Sequence, residues 1–357
     1  MKRFGIFAVI IVLISGFLGL GIKSLNQASG QGNADKTLTI FNWGDYIDPQ
    51  LITKFEHETG YQVKYETFDS NEAMFTKIQQ GGTAYDIAVP SDYMIEKMRK
   101  AHLLVPLSKQ KIVGLSNIEP EFLDQSFDQH NQYSVPYFWG TLGIIYNDRY
   151  VKASEMQHWR DLWQPKWRNS IMLVDSARDI MGLALVKDGA SMNSTNQVQL
   201  QKAATDLDQL APNVKAVVAD EIKMYMSDNE APLAVTWSGE AAEMLANNSH
   251  LHYVVPSEGS NLWFDNIVIP RTVKHKKAAY AFINFMLQPK NAAQNAEYIG
   301  YATPNRLAKR LLPKAIREDK QFYPDQQTVR NLQVYQDLGP TWVQRYNDLF
   351  LEFKMHK

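Results

Sequence analysis

The hydrophobic and polar positions of the chain alternate between the short period of strands and the longer period of helices. An apolar run, 38–41, predicts a strand, and the periodic apolar positions of 51–59 predict a helix that ends at Gly60. Asp48 before Pro49 explains the start of this helix, as an N-cap carboxylate followed by proline in the first turn. The pattern therefore predicts a strand-to-helix turn, the place where open α/β sheets bind ligands.

Three residues of that turn, Trp43, Asp45 and Tyr46, are not needed to start the helix. A carboxylate beside two aromatic rings suits a cation that carries an apolar body, because ring faces attract positive charge. This turn is the first candidate for a binding site.

Later strand-to-helix turns carry the same residue types. The second has Ser91, which is most simply explained as an N-cap, and Tyr93, for which packing and ligand contact both stay open. The third has Asp179, although an acid in a first turn also favours the helix dipole. The fourth has Trp237 and Glu240. Acids and aromatics thus recur at turns that lie far apart in the sequence.

An extended segment, 260–269, repeats the pairing of an aromatic residue with an acid. Residues two apart in a strand share a face. Leu262 and Phe264 are expected to face the core, which places Trp263 and Asp265 together on the opposite side.

Other segments predict the scaffold. Residues 133–146 are extended and aromatic, and they predict a strand that runs from one subdomain into another. Asp69 is expected to open the next helix through a capping box. Trp159, Trp163 and Trp167 recur at four-residue spacing and are interpreted as core residues.

The amino-acid composition indicates the number of domains and excludes several kinds of binding partner and site. The chain has 357 residues, enough for about two domains, and 45% of them are hydrophobic, so that a large core is expected. Its 37 basic and 38 acidic residues nearly cancel, which argues against a nucleic-acid partner. Cysteine is absent, which excludes disulfides, thiolate metal sites, a cysteine nucleophile and a cysteine-linked lipid anchor.

The N-terminal segment predicts export. Lys2 and Arg3 precede the apolar stretch 4–22, and the polar residues 24–36 follow as a linker. We therefore expect residues 1–35 to be a signal or anchor segment with its linker, and to make the only membrane contact. The rest of the chain is expected outside the cytoplasm, in the periplasm or on the outer face of the membrane, either released or tethered.

The recurring residue types suit a ligand with separated positive charges. Carboxylates bind ammonium groups through charge-assisted hydrogen bonds, and aromatic faces cover the methylenes between them. A linear polyamine has this form, but sugars also favour aromatic walls, so the pattern alone leaves both open. A pair of acids could also serve a glycoside hydrolase. No catalytic motif is present, and His250 with His252 is a poor metal set, so no catalytic residue, metal or cofactor is predicted.

Five motifs, taken in this order, resemble those of the spermidine/putrescine-binding proteins of polyamine ABC importers. They are the segments 42–46, 85–91, 136–140, 262–265 and 299–305, within a resemblance that runs from about Leu38 to the C-terminus. The resemblance implies an α/β, two-lobed type II periplasmic-binding-protein fold with the ligand cleft between the lobes. It also implies that the chain crosses between lobes near Gly140, Asp265 and residue 311, and that the lobes close on the ligand by a hinge motion.

The same resemblance assigns roles to individual positions. The ligand-wall aromatics fall on Trp43, Tyr46, Tyr93, Trp237, Trp263 and Tyr301, the ammonium-binding acids on Asp45, Asp179 and Asp265, and a ligand-contacting serine on Ser91. Four positions depart from the spermidine-preferring pattern or match putrescine-preferring relatives: Ser176 in place of an aspartate, Gly44 in place of a threonine or serine, Tyr335 in place of a glutamine, and Glu240 as the match to an aspartate. The choice between polyamines therefore stays open.

We accordingly expect a binding protein, not an enzyme, that captures a small-molecule polyamine and delivers it to the membrane permease of an ABC importer. Lobe 1 is expected to comprise residues 36–141 and 266–311, and lobe 2 residues 142–265 and 312–357. The alternatives are the same fold with another solute, such as a sugar, an amino acid or a thiamine-like cation, and, less favoured, a secreted glycoside hydrolase.

Overall fold

A computed structural model describes residues 36–219 and 221–356 of the chain. The segment that the sequence predicts to be a signal or anchor, residues 1–35, lies outside the described residues. Within the described ranges, no helix is both long and apolar enough to cross a membrane.

Strands and helices alternate through most of the chain, as the hydrophobic pattern predicts. The strands are β1 (Thr37–Trp43), β2 (Gln62–Phe68), β3 (Ile87–Ala88), β4 (Ser134–Asn147), β5 (Ile171–Val174), β6 (Val214–Val218), β7 (Leu233–Trp237), β8 (Leu251–Val254) and β9 (Leu262–Val268).

The helices lie between these strands and in the C-terminal part of the chain. They are α1 (Pro49–Thr59), α2 (Asn71–Gln80), α3 (Asp92–Lys100), α4 (Ala177–Lys187), α5 (Gln197–Leu210), α6 (Glu221–Ser227), α7 (Ser238–Asn247), α8 (Lys276–Leu287), α9 (Pro289–Ile299), α10 (Arg306–Leu311), α11 (Lys314–Arg317), α12 (Gln326–Arg330) and α13 (Gly339–His356).

The strands are hydrogen-bonded in the order β2-β1-β3-β9-β4-β7-β5-β6, and β8 also pairs with β4. On one side, β1 runs parallel to β2 and β3, and β9 runs antiparallel to β3 and β4. On the other side, β5 runs parallel to β6 and β7, and β7 runs antiparallel to β4. The long strand β4 is buried along its whole length and joins the two sides.

Two separate hydrophobic cores flank this junction. The first takes its buried residues from 38–139 and 262–323, and the second takes them from 142–253 and 335–353. The division falls within β4, between Trp139 and Leu142. The three tryptophans that the spacing assigns to the core belong to the second core: Trp159 and Trp167 are buried in it, and Trp163 packs against it.

Local chemistry explains where the first helices begin. Asp48 accepts a hydrogen bond from the Gln50 backbone N–H at 2.8 Å, and α1 ends at Gly60 with φ of 72°, both as predicted. The capping box predicted for Asp69 is wrong, because α2 is capped by Ser70, whose Oγ accepts the Ala73 N–H at 3.2 Å.

Candidate ligand-binding site

A buried carboxylate, Asp265, gathers residues from three distant parts of the chain. It lies on β9 with 7% of its surface exposed. The Tyr46 hydroxyl donates to its Oδ2 at 2.5 Å, and the Ser91 hydroxyl donates to its Oδ1 at 2.7 Å. Burial raises the pKa of the Asp265 carboxyl to about 6, against the lowering effect of these two hydrogen bonds.

Both donors are held by neighbours rather than by Asp265 alone. The backbone carbonyl of Tyr46 accepts a hydrogen bond from the Tyr137 hydroxyl at 2.8 Å. Ser91 stands at the N-cap of α3, as predicted, but its side chain caps no backbone N–H. Its hydroxyl instead accepts from the Asn71 side-chain amide at 3.1 Å while it donates to Asp265. The same amide also donates to the Tyr93 hydroxyl at 3.2 Å, and this contact places Tyr93 beside Ser91.

The alternation predicted for β9 is confirmed. Leu262 and Phe264 are buried in the first core, whereas Asp265 reaches Tyr46 and Ser91. Trp263 packs its ring edge-on to Tyr301, with centroids 5.3 Å apart.

A second buried carboxylate, Asp179, lies in the first turn of α4 and is 4% exposed. The Tyr335 hydroxyl donates to its Oδ1 at 2.8 Å, and the Trp237 indole N–H donates to its Oδ2 at 3.2 Å. Its own backbone N–H donates to the Ser176 hydroxyl oxygen at 3.4 Å, so Ser176 is the N-cap of α4. Burial raises the pKa of the Asp179 carboxyl, although Ser176, Tyr335, the positive charge of nearby Arg178 and the indole oppose the shift.

Two aromatic rings near Asp265 each approach a glycine closely. The Tyr301 ring meets Tyr46 edge-on, with centroids 5.4 Å apart. Gly239 allows this position, because a Cβ there would fall 1.0 Å from Tyr301 Cε1. A Cβ on Gly140 would fall 2.3 Å from the Trp263 ring. Both glycines are therefore required by close approach to an aromatic ring.

Glu240 differs from the two buried aspartates because it has a cationic partner within the chain. The Tyr301 hydroxyl donates to its Oε1 at 3.1 Å, and the Lys223 ammonium lies 3.2 Å from its Oε2. Sequence reasoning missed Lys223, which lies on α6 and belongs to no motif.

Arg178 is a second residue that sequence reasoning passed over, although it stands next to Asp179. Its guanidinium lies 4.4 Å from the Tyr335 ring centroid and 6.0 Å from that of Tyr93. It therefore lies between a tyrosine of the Asp265 group and a tyrosine of the Asp179 group. The only signal in the sequence was its position in the acidic turn of α4.

The predicted site residues thus fall into three contact groups and a remainder, and the first and third groups also touch through the Tyr46 and Tyr301 rings. Tyr46, Ser91, Tyr93 and Asp265 form one group, Ser176, Asp179, Trp237 and Tyr335 a second, and Glu240, Trp263 and Tyr301 a third. Trp43 is half-buried beside Phe68, with ring centroids 4.6 Å apart, and Asp45 is exposed with φ of 45°. Within the described ranges, neither contacts a member of the three groups through a hydrogen bond or ring contact.

The histidine pair considered for a metal has a different arrangement. His250 Nδ1 and His252 Nε2 hydrogen-bond with the two oxygens of Asp148 at 2.8 and 2.9 Å. In the part of the chain that the structure describes, no group of three or more histidine or acidic side chains is arranged to hold a metal ion.

Comparison with known proteins matches most of the chain to one family. The family model for bacterial extracellular solute-binding proteins matches residues 50–324. The spermidine/putrescine-binding periplasmic protein of Escherichia coli (strain K12) is 37% identical over 323 residues, which cover 90% of this chain and 93% of that protein. The putrescine-binding periplasmic protein PotF of the same organism is 31% identical over 81% of this chain and 83% of its own.

A solved structure shares the fold. The spermidine/putrescine ABC transporter substrate-binding protein PotD from Streptococcus pneumoniae, in complex with calcium and HEPES, superposes with a TM-score of 0.83. It is 59% identical, and the match covers 90% of this chain and 99% of that one. The predicted fold class, an α/β type II periplasmic-binding-protein fold with two lobes, is thereby confirmed.

Proposed function

The chain belongs to the family of bacterial extracellular solute-binding proteins, and from this premise we propose that it captures spermidine or putrescine and delivers it to the permease of an ABC importer. It is a binding protein and not an enzyme, since the family and these relatives are substrate-binding components of transporters. The alternatives of another small solute or of a glycoside hydrolase find no support in these relatives.

One observation carries the proposal most directly. Asp265 and Asp179 are buried, and among the described residues neither forms an ion pair with a lysine or arginine. Their hydrogen-bond partners are three hydroxyls and an indole N–H, all of them neutral groups. A buried carboxylate without a cation is costly, and an ammonium group of a ligand would offset that cost. Two such carboxylates suit the separated ammonium groups of a polyamine.

The proposed site residues are those named from the sequence. The aromatic walls are formed by Trp43, Tyr46, Tyr93, Trp237, Trp263 and Tyr301, the acids are Asp45, Asp179, Asp265 and Glu240, and the remaining contacts come from Ser91, Ser176 and Tyr335. Aromatic faces cover methylenes and contribute about 0.5–2 kcal/mol each through attraction of the charge.

The lobes are proposed to comprise residues 36–141 with 266–311 and residues 142–265 with 312–357. The break between the two cores within β4, beside Gly140, supports a crossing at that point. Further crossings are proposed near Asp265 and near residue 311, whereas the second part of the first core begins at Leu262 and extends to Tyr323. Tyr46, which donates to Asp265, and Tyr335, which donates to Asp179, belong to different cores, so closure of the lobes would bring these two tyrosines and their acids onto one ligand.

Residues 1–35 are proposed to export the chain and either to be removed or to tether it to the outer face of the cytoplasmic membrane. The curated relatives are periplasmic proteins, which supports a location outside the cytoplasm. Membrane contact is proposed through this segment alone, apart from docking on the permease. N-terminal sequencing of the protein from cells would distinguish a cleaved segment from a retained one.

Calorimetric titration of the purified chain with spermidine and then with putrescine tests the function. We expect micromolar or tighter binding of at least one of them, about −8 kcal/mol. A control titration with a neutral sugar should give no heat, since a sugar has no ammonium group to pair with Asp265 and Asp179. Absence of heat with both polyamines, or tighter binding of the sugar, would contradict the proposal.

A further inference from the structure

Glu240 is the one acid of the three contact groups that a lysine of the chain already neutralises. Lys223 Nζ lies 3.2 Å from Glu240 Oε2 and 3.1 Å from Glu243 Oε2. The side chain of Glu240 is 23% exposed and that of Lys223 is 31% exposed, so water screens the pair only in part. Partial burial lowers the pKa of Lys223, but the two glutamates outweigh this effect and hold the pKa above its ordinary value.

The other oxygen of Glu240 is also engaged. It accepts the Tyr301 hydroxyl at 3.1 Å, and the Tyr301 ring in turn contacts Tyr46 and Trp263. Glu240 therefore adjoins the aromatic residues of the candidate site, yet both of its oxygens already have partners. A ligand ammonium group that reached this carboxylate would compete with Lys223 for its negative charge.

We propose that Lys223 is a specificity-determining residue, which neutralises Glu240 and so leaves Asp265 and Asp179 as the acids of the three contact groups without an ion pair to a lysine or arginine among the described residues. This inference rests on the proposed polyamine function. A diamine has a buried partner for each ammonium group. A triamine has one ammonium group left, which must displace Lys223, pair with the exposed Asp45 or remain in water.

The test is Lys223→Met in the full chain, titrated with spermidine and with putrescine. Methionine keeps an unbranched apolar side chain of similar length and removes the charge. We expect spermidine affinity to rise by about tenfold, because Glu240 becomes free for the third ammonium group, and putrescine affinity to change by less than about threefold.

A matched control removes a lysine of similar exposure elsewhere. Lys166 is 41% exposed and pairs with Glu155 at 2.6 Å, outside the three contact groups. Lys166→Met makes the same change in net charge, so any effect of overall charge should be visible in it. We expect affinity for both ligands to stay within about twofold of wild type, because exposed charges are screened over distances of about 10 Å.

A double variant distinguishes an effect of the Lys223–Glu240 ion pair from an effect of Lys223 alone. In the Glu240→Gln background, Lys223→Met should tighten spermidine binding by less than about threefold, since no carboxylate remains to be freed. Lys223→Gln should reproduce the effect of Lys223→Met, and thermal unfolding of each variant establishes that it is folded.

The outcomes distinguish this inference from the function on which it rests. A wild-type protein that binds polyamines but gains no spermidine affinity in either Lys223 variant would overturn the inference and leave the function intact. An equal gain in the Glu240→Gln background would also overturn it. A wild-type protein that binds neither polyamine would overturn the proposed function and the inference together.

Discussion

The two buried carboxylates of the candidate site are held in different ways. Asp265 lies on a strand, and its partners are the hydroxyls of Tyr46 and Ser91. Asp179 lies in the first turn of a helix, where the partial positive charge of the helix N-terminus acts on it, and it accepts from Tyr335 and from an indole N–H.

The protein itself therefore stabilises the negative charge of the two carboxylates to different extents. The helix N-terminus contributes about 0.3–1 kcal/mol to a nearby carboxylate, and up to about 2 kcal/mol in partly buried positions. Asp179 has this contribution, whereas Asp265 depends on two hydroxyls. We therefore expect the ligand to contribute more to the stability of ionised Asp265 than to that of ionised Asp179, and the following predictions test that ranking.

The largest effect is expected at Asp265. Asp265→Asn should weaken spermidine binding by about 2–5 kcal/mol, because the ligand ammonium group would lose its charged partner in a buried place. Calorimetric titration measures the change, and Asp208→Asn, at an exposed aspartate that contacts His356, controls for the loss of one negative charge. Unchanged affinity in Asp265→Asn would remove this residue from the site.

The pH dependence of binding comes next. Since the pKa of Asp265 is raised to about 6, polyamine affinity should fall as the pH falls through 6, by about tenfold between pH 7 and pH 5. Titrations over this range should give a flatter profile for Asp265→Asn. A wild-type profile that stays flat down to pH 5 would contradict an ionised Asp265 in the complex.

Stability without ligand should change in the opposite direction. The folded-state pKa of Asp265 lies above the unfolded value of about 4, so the folded protein binds the proton more tightly, and this carboxyl favours folding more as the pH falls from 6 towards 4. At pH 7.5 its ionisation costs the folded state about 3 kcal/mol. Thermal unfolding should show that the stability of Asp265→Asn, measured relative to wild type, is greater at pH 7.5 than at pH 4.5. An equal difference in stability between the variant and wild type at both pH values would contradict a raised pKa of Asp265.

A smaller loss is expected at Asp179. Asp179→Asn should weaken spermidine binding by about 1–3 kcal/mol, because the helix N-terminus and the Tyr335 hydroxyl already compensate part of the charge. The same calorimetric series measures it. A loss equal to that of Asp265→Asn would show that the helix makes no difference to the ligand.

The smallest effect is expected at Ser91. Ser91→Ala removes a hydrogen bond to ionised Asp265, and should move the midpoint of the binding profile upward by about 0.5 pH unit. Ser70→Ala is the control, since Ser70 caps α2 and should cost about 1 kcal/mol of unfolding free energy without moving the midpoint. A downward shift in Ser91→Ala would contradict the donation to Asp265.

The sequence alone predicted the parts of the site that depend on short-range pattern. Asp48 and Pro49 placed the start of α1, and the two-residue period of β9 placed Trp263 opposite Leu262 and Phe264. These features are determined by hydrogen bonds and steric contacts over a few residues, so they can be predicted from the local sequence.

The features that could not be predicted from the sequence depend on contacts between distant segments. Tyr46 and Asp265 are 219 positions apart, and only the resemblance to a family placed both at one site. Lys223 gave no signal, because a lysine on an amphipathic helix is usually a solvated charge, and its approach to Glu240 depends on how α6 and α7 pack. Ser91 shows a subtler case: its position as an N-cap was predicted, but its hydroxyl is used elsewhere.

Each of the two cores is built from two separate segments of the chain, and this affects when the core can form during synthesis. The first core needs residues up to 323, and the second needs residues 335–353. Neither core can be completed until most of the chain has left the ribosome, so the growing chain exposes apolar side chains for nearly the whole of translation. The export proposed for residues 1–35 would make use of this delay, since a chain that threads through a translocation channel must cross it before it folds.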